Sequence, residues 1–493
     1  MEDLLSKLHS FPPLPAPRIP LSDQQYDEGI KSQIEAVKKI SDAKMMQPTA
    51  GGENMLQVID PAFNTVPYAF CLVANIQATS KNTAKSVNMD ILWSKMVQFL
   101  QVFDARQIRY LGDELNYIIK SVADFARSSR QPHLAVAPIR NAILRLDPSG
   151  SMLTANHLTL VKLAMESRRY VDAAPALKKF ILYVPGYSAL QKPKYLCDMS
   201  LSPAAYITPA TKLNTKLKYQ DILEYFLYSG MVHIGLVDWE NAFHCLESAV
   251  TYPSKDSSPS KIMVEAYKKW ILVGLLKEGQ YLPLPKSTSP GPGKSYHTLA
   301  KPYEALAQIF ESGTASRVKS EIEAGTTWWR NDGNTGLILQ VQSAFQRFAI
   351  RDLGDVYSKI SIPEVFSQTT SAETGYKLQN LQAGEALVQQ MIQRGDLHAT
   401  LSHSPTGPAI LTFSPSGAAL SERQMQSELA AATARIQDLT KEIKQTDRMV
   451  TYDKEYVKFM QKIKKSKEQH PEQDAPGAGW NESLDDEDIM SMY

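Results

Sequence analysis

The stretch YFLYSGMVHIGLVDWENAFHCLESAVTYP, residues 225–253, decides the fold. It reads as two helices folded back on each other, with small residues where the helices must touch. Gly230, Ala242 and Ala249 fall at those contacts, and Leu246 fills the space between them. A helical hairpin of this kind cannot bury its apolar face alone, so it has to stack on neighbours. That implies a scaffold of helix pairs rather than a catalytic pocket.

Counted against the tetratricopeptide pattern, the same four residues occupy its small-or-apolar positions, and Pro253 closes the unit one residue early. Working outward, residues 23–43 form an amphipathic helix with Tyr26, Ile30, Ile34, Val37 and Ile40 at helical spacing. Asn88 caps a second helix through Met96 and Phe99, and residues 108–126 supply another. Residues 138–146, 157–167 and 171–183 continue the theme; in the last, Ala173 and Leu177 echo Ala242 and Leu246. Residues 21–205 are thus expected as irregular helical repeats behind a proline-rich arm, residues 1–20. Residues 206–334 are expected as a tetratricopeptide-like part. It contains an apolar helix at 261–277, a flexible connection at 283–295 and helices at 303–310 and 316–324.

The character changes after Asn334. Residues 336–350 are a helix, and Leu353, Val356 and Ile360 extend an apolar stripe over 351–360. Ser361 caps a short helix with Pro363 in its first turn. A third helix spans 380–394 and ends at Gly395, where a left-handed residue is needed. LHATLS, a turn at HSPTGP and AILTF then form a β-hairpin. Helices followed by a hairpin give the winged-helix order over 335–417. From Met425, the residues Leu429, Ala432, Ile436, Leu439 and Ile443 recur at four- and three-residue steps, with Val450 and Val457 in phase. This heptad helix, residues 418–470, wants a partner helix. The acidic stretch 471–493 reads as disordered.

A length of 493 residues allows about three domains, and 43% hydrophobic residues suffice for large cores. A net charge of +1 gives no reason to expect nucleic acid or an anionic membrane as partner. Cys71, Cys197 and Cys245 form neither a metal spacing nor a disulfide framework and read as small core residues. The N-terminus has no signal-peptide pattern, and the apolar run 68–76 is too short to span a bilayer, so a soluble intracellular protein is expected.

Chemistry-bearing motifs are weak. GPGKS at Gly291 lacks the leading glycine of a phosphate loop, Thr288 standing there, and Pro292 removes a backbone donor. The nine histidines contain no HExxH or HxH pair. His398 and His403 flank the first hairpin strand with no recognisable carboxylate partner, and His233 and His244 read as packing residues. Trp328-Trp329 suits a binding platform or a core anchor, and the anchor fits better. The third helix of the winged segment, LQAGEALVQQMIQR, carries one glutamate and one arginine, with Lys377 before it. That is too little charge for a phosphate footprint, so protein–protein use is expected. The basic run KIKKSK, residues 462–467, reads as a helix end. No catalytic, cofactor-binding or metal residues are assigned.

Helical repeats running into a winged helix and a long final helix resemble the PCI-domain proteins. These are scaffold subunits of the proteasome lid, the COP9 signalosome and a translation initiation complex. GMVHIGLVDWENAFHCLESAVTYP, MVEAYKKWILVGLL and YEALAQIF are most similar to the subunit 3 family of the signalosome. The resemblance implies a mostly α, non-catalytic scaffold in an assembly that removes a ubiquitin-like modifier from cullins. By the same resemblance the isopeptidase sits in another subunit; no cofactor is expected from the motifs, and the intracellular reading places the chain in nucleus and cytoplasm. Its expected neighbours are subunits 1 and 8 through the winged helix, and several subunits through the final helix. Neither membrane nor direct nucleic-acid contact is implied. The runner-up is a lid scaffold of the same architecture, and behind it a winged-helix nucleic-acid binder. The interface candidates are Leu411 and Phe413 on the hairpin, and Met425, Leu429, Ile436, Leu439 and Ile443 on the final helix.

Overall fold

The structure, a computed structural model, describes residues 6–13, 21–49, 52–80, 88–184, 193–254, 258–377, 380–403, 407–414 and 422–451, with 457, 458 and 461. The proline run 14–20, the basic run 462–467 and the acidic tail lie outside the described residues, as does the side chain of Val450. Residues 1–418 and 419–493 form two separate units.

The first unit is mostly helical. Its N-terminal part contains α1 (Asp23–Lys38), α2 (Thr65–Ser80), α3 (Met89–Val102), α4 (Gly112–Ser128), α5 (His133–Leu146), α6 (Ala155–Ser167) and α7 (Tyr170–Leu177). Ser22 and Gln25 close a capping box at the start of α1, satisfying donors that a helix N-terminus leaves free. Residues 6–13 ahead of it fold against the repeats. Phe11 packs edge-on to Tyr26, and Gln33 donates to the carbonyls of Leu8 and Phe11 at 3.0 and 2.7 Å. The apolar run at 68–76 becomes α2, which is buried on nearly every side. Among the described residues no helix is long and apolar enough to cross a membrane.

Three expectations fail here for identifiable reasons. The helix expected at 108–126 breaks at Leu111 into a 3-10 turn (Ile108–Tyr110) and α4. The backbone of residues 211–213 crosses there, so close that a Cβ on Gly112 would lie 2.2 Å from the Thr211 carbonyl oxygen. The helix expected at 171–183 stops at Leu177. Beyond it Leu182 and Tyr183 donate to the Ser151 carbonyl at 2.8 and 3.0 Å, and Leu153 donates to that of Tyr183. Long-range backbone pairing replaces the local helix. The flexible connection expected at 283–295 is helical from Pro290 to Leu299 (α11). Pro290 occupies its first turn, Tyr296 stacks on Tyr267 at 4.7 Å, and the Tyr296 hydroxyl donates to the Val250 carbonyl at 3.0 Å.

The deciding stretch forms α8 (Tyr219–Gly235) and α9 (Trp239–Thr251), which pack on each other and on α10 (Lys261–Glu278). Gly230 sits against Leu246: a Cβ added there would lie 2.8 Å from Leu246 Cγ. Ala242, Leu246 and Ala249 are fully buried. Asp238 caps α9 and takes Lys178 at 3.2 Å, tying the turn back to the end of α7. Burial opposes its charge, yet hydrogen bonds from Asn241 and Lys178 hold the carboxyl below its usual range. His233 is buried, with its ring 3.4 Å from the Leu177 carbonyl, and burial lowers its pKa. Cys71 and Cys197 are buried, whereas Cys245 is only part-covered.

The stack continues through α12 (Lys301–Ser312), α13 (Ala315–Ala324) and α14 (Thr335–Asp352). Trp329 is the anchor. It is 2% exposed, its Nε1 donates to the Ile322 carbonyl at 3.0 Å, and its ring meets Tyr303 edge-on. Trp328, by contrast, is 60% exposed.

A second core lies beyond, around Ile350, Val365, Phe366, Val388, Met391 and Leu411. It is built by α15 (Ile362–Gln368), α16 (Leu381–Arg394) and a three-stranded antiparallel sheet in the order β1-β3-β2. The strands are β1 (Lys359–Ser361), β2 (Ala399–Ser402) and β3 (Ile410–Phe413). The sequence reading gave only the hairpin β2–β3. The stripe assigned to 351–360 is instead a 3-10 turn followed by β1; Ile360 is buried in the sheet and Val356 is exposed. Asn380 caps α16 through two backbone donors, and Gly395 ends it at φ +79°.

Candidate subunit-interface surfaces

Among the described residues the winged helix leaves two strand edges unpaired. Because β3 is central, its backbone is used on both sides: Ile360 and Leu411 are partners across one seam, and Thr400 and Thr412 across the other. Flanking bonds fix the alternation. Phe413 donates to Ser358, Ile362 to Ala409, and Ser414 to His398. Antiparallel pairing then turns the backbone groups of Lys359 and Ser361 on β1, and of Ala399 and Leu401 on β2, away from the sheet. Such an edge is a template for a further strand.

Both hairpin candidates lie on the central strand. Leu411 is fully buried in the winged-helix core, so its side chain has no surface to offer a partner. Phe413 is half-buried, covering Gly354, where a Cβ would lie 3.0 Å from its ring. Both residues support the sheet from its central strand, and the exposed backbone belongs to the outer strands. The signal that could have revealed β1 is slight: KIS before a capped helix is too short for periodicity to register.

The electrostatics of α16 fit a neutral surface. Glu385 pairs with His403 at the end of β2, which supplies the carboxylate partner that the sequence reading missed. Lys377 donates to the Ser367 carbonyl, leaving Arg394 as the basic residue of the helix. A carboxylate on this face, with so few cations, opposes a phosphate backbone.

In the second unit, α17 (Glu422–Thr451) is one continuous helix of 30 residues. Met425, Leu429, Ile436, Leu439 and Ile443 are 51, 70, 63, 40 and 65% exposed. Their four- and three-residue steps place them on one face, an apolar stripe open to solvent. Val457, in phase, is also exposed. Among the described residues no cluster of histidine, cysteine or carboxylate side chains has the geometry to hold a metal.

With this architecture in view, the comparisons narrow the family. The model for "COP9 signalosome complex subunit 3, N-terminal helical repeats" matches residues 27–290, the stretch from α1 into the first turn of α11. The chain belongs to the COP9 signalosome subunit 3 family. It is 35% identical over 456 residues to the COP9 signalosome complex subunit 3 of Emericella nidulans, covering 90% of each chain. It is 34% identical over 505 residues to the protein of that name from Neurospora crassa, covering 100% of this chain and 99% of the relative. The subunit 3 family therefore spans the repeats, the winged helix and α17 alike.

Proposed function

We propose that the chain is a non-catalytic scaffold subunit of the COP9 signalosome, the assembly that removes a ubiquitin-like modifier from cullins and so resets cullin–RING ligases. Near full-length similarity to two signalosome subunits carries this reading. The physical picture supports it. A stack of helix pairs holds a winged helix with unpaired strand edges, and a separate long helix carries an open apolar stripe. Strand edges supply backbone hydrogen bonds to a neighbouring edge, and the α17 stripe supplies apolar area at about 25 cal/mol per Å² buried. On this reading the winged helix meets subunits 1 and 8, α17 enters a shared helical bundle, and the isopeptidase belongs to another subunit. The protein would work wherever the assembly does, in nucleus and cytoplasm. Purification of the native complex through this chain, followed by mass spectrometry, should recover the other signalosome subunits together with deneddylating activity. Recovery of proteasome-lid subunits in their place would overturn the proposal.

A further inference from the structure

We propose that the cavity enclosed by α1, the start of α4 and the segment 193–214 is a binding site for a small organic anion, one with an apolar body and a phosphate or carboxylate group. The inference is independent of membership in any assembly. The cavity is about 680 Å³, within the range of small-molecule sites, and open on one side.

Charge carries the argument. Two of the cations at its wall are already neutralised: Lys31 pairs with Asp27 at 2.6 Å, and Lys212 pairs with Asp113. Among the described lining residues Lys38, Lys194 and Arg109 remain, against Glu114 as the one other carboxylate, which Lys38 faces. Burial raises the pKa of that carboxyl, which favours its neutral form.

Arg109 is the anchor. It is 4% exposed and among the described residues makes no direct ion pair, although the Asp198 carboxylate lies near enough for the Arg109 charge to lower its pKa. Its Nη1 donates to the carbonyls of Leu196 and Asp198 at 3.0 and 2.5 Å, and its guanidinium lies 3.8 Å from the Tyr206 ring centre. Its Nε finds no acceptor among the described residues. The hydrogen bonds of this guanidinium go to backbone carbonyls, and the opposing charge near it is the Asp198 carboxylate, so an anion entering the cavity would add a direct charge-assisted contact. Asn214, 3% exposed on the same wall, also has neither amide atom paired among the described residues. It offers an N–H donor group and a carbonyl acceptor to a polar substituent.

The wall is preorganised. Thr211 Oγ1 donates to the Tyr206 carbonyl and Asn116 Nδ2 to that of Lys212, both at 2.7 Å, fixing the crossing segment over Gly112. Ile207 and Pro209 add an apolar surface for the ligand body.

The test is calorimetric titration of the full chain with phenyl phosphate, phenylacetate and inorganic phosphate at low and high salt. One of the aromatic anions should bind, more weakly as salt rises, and more tightly than inorganic phosphate. The preferred probe identifies the anionic group. The K38E/K194E double variant reverses two exposed charges without touching a hydrogen bond of the fold. It should bind about tenfold more weakly at an unchanged melting temperature. An R109M variant should lose binding. Failure of both aromatic probes at millimolar concentration, or equal affinity in the double variant, overturns the proposal.

Discussion

Gly230 offers a sharp test of the packing logic, because one substitution should change sign with its neighbour. In the middle of α8, Gly230→Ala gains about 1 kcal/mol of helix stability, since alanine has less backbone freedom to lose. The new Cβ would stand 2.8 Å from Leu246 Cγ and 2.9 Å from Cδ2. Leu246 is fully buried, and Cγ is not a free end, so the pair must part against packed neighbours. Overpacking of this kind costs about 1–3 kcal/mol, which outweighs the helix gain by about 1 kcal/mol. Leu246→Ala alone should cost about 2–5 kcal/mol through the cavity it leaves. In that background the clash is gone and only the helix term survives, so Gly230→Ala should stabilise by about 1 kcal/mol. The coupling between the two sites is then about 1–3 kcal/mol, well above the error of additive sites. Urea unfolding of the full chain and its three variants measures it, and the melting temperatures should move in opposite directions by about 1 °C. If Gly230→Ala lowers stability equally in both backgrounds, the close contact is not what selects glycine here.

Three further outcomes follow from the same structure. Trp329→Ala should cost about 3–5 kcal/mol, losing both its packing on Tyr303 and its Nε1 bond, whereas Trp328→Ala should stay within about 0.5 kcal/mol; thermal unfolding separates them. His157 is buried, its Nδ1 accepting from the Thr154 N–H at 3.2 Å, and burial lowers its pKa to about 4. The unfolded chain, with a pKa near 6.5, binds the proton first, so this contribution is complete above about pH 6.5. It is lost as pH falls towards 4, at up to about 1.4 kcal/mol per pH unit. His157→Gln should flatten that part of a pH–stability curve, and an unchanged slope would contradict the assignment. Leu429→Asp with Ile436→Asp places two charges on the open stripe of α17. The circular dichroism and melting of the repeats should be unaltered while co-elution with the other signalosome subunits is lost, and full co-elution would count against burial of that stripe.

Much of the fold was legible because it is local. Gly230, Ala242, Leu246 and Ala249 mark the hairpin at fixed helical spacing, and the glycine after α16 marks its end. What was hidden depends on distant chain. Within residues 108–126 only Gly112 and the acidic Asp113-Glu114 after it hint at the break at Leu111; the Thr211 carbonyl that requires glycine there is a hundred residues away. Likewise the run PGPGKS looks like a linker until Tyr296 is seen stacked on Tyr267 and bonded to Val250. Proline at the first helical turn is compatible with either state, and only the tertiary contact decides between them.

The candidate interface surfaces divide along the same line. The stripe on α17 could be read from heptad spacing, since a helix displays its periodicity whether or not a partner is present. The wing could not. A strand's side chains alternate regardless of which neighbour it pairs with, so AILTF and ATLS look alike in sequence. Only the addition of β1 makes β3 central, which moves one free edge from β3 to β1, leaves the other on β2 and places Leu411 in the core. It follows that substitutions at Leu411 would test the stability of the winged helix and say nothing of its partners. A probe of the wing edge must instead block a backbone donor on the outer strand. Proline at Leu401 removes an outward N–H while leaving untouched the bonds of Thr400 and Ser402 to β3.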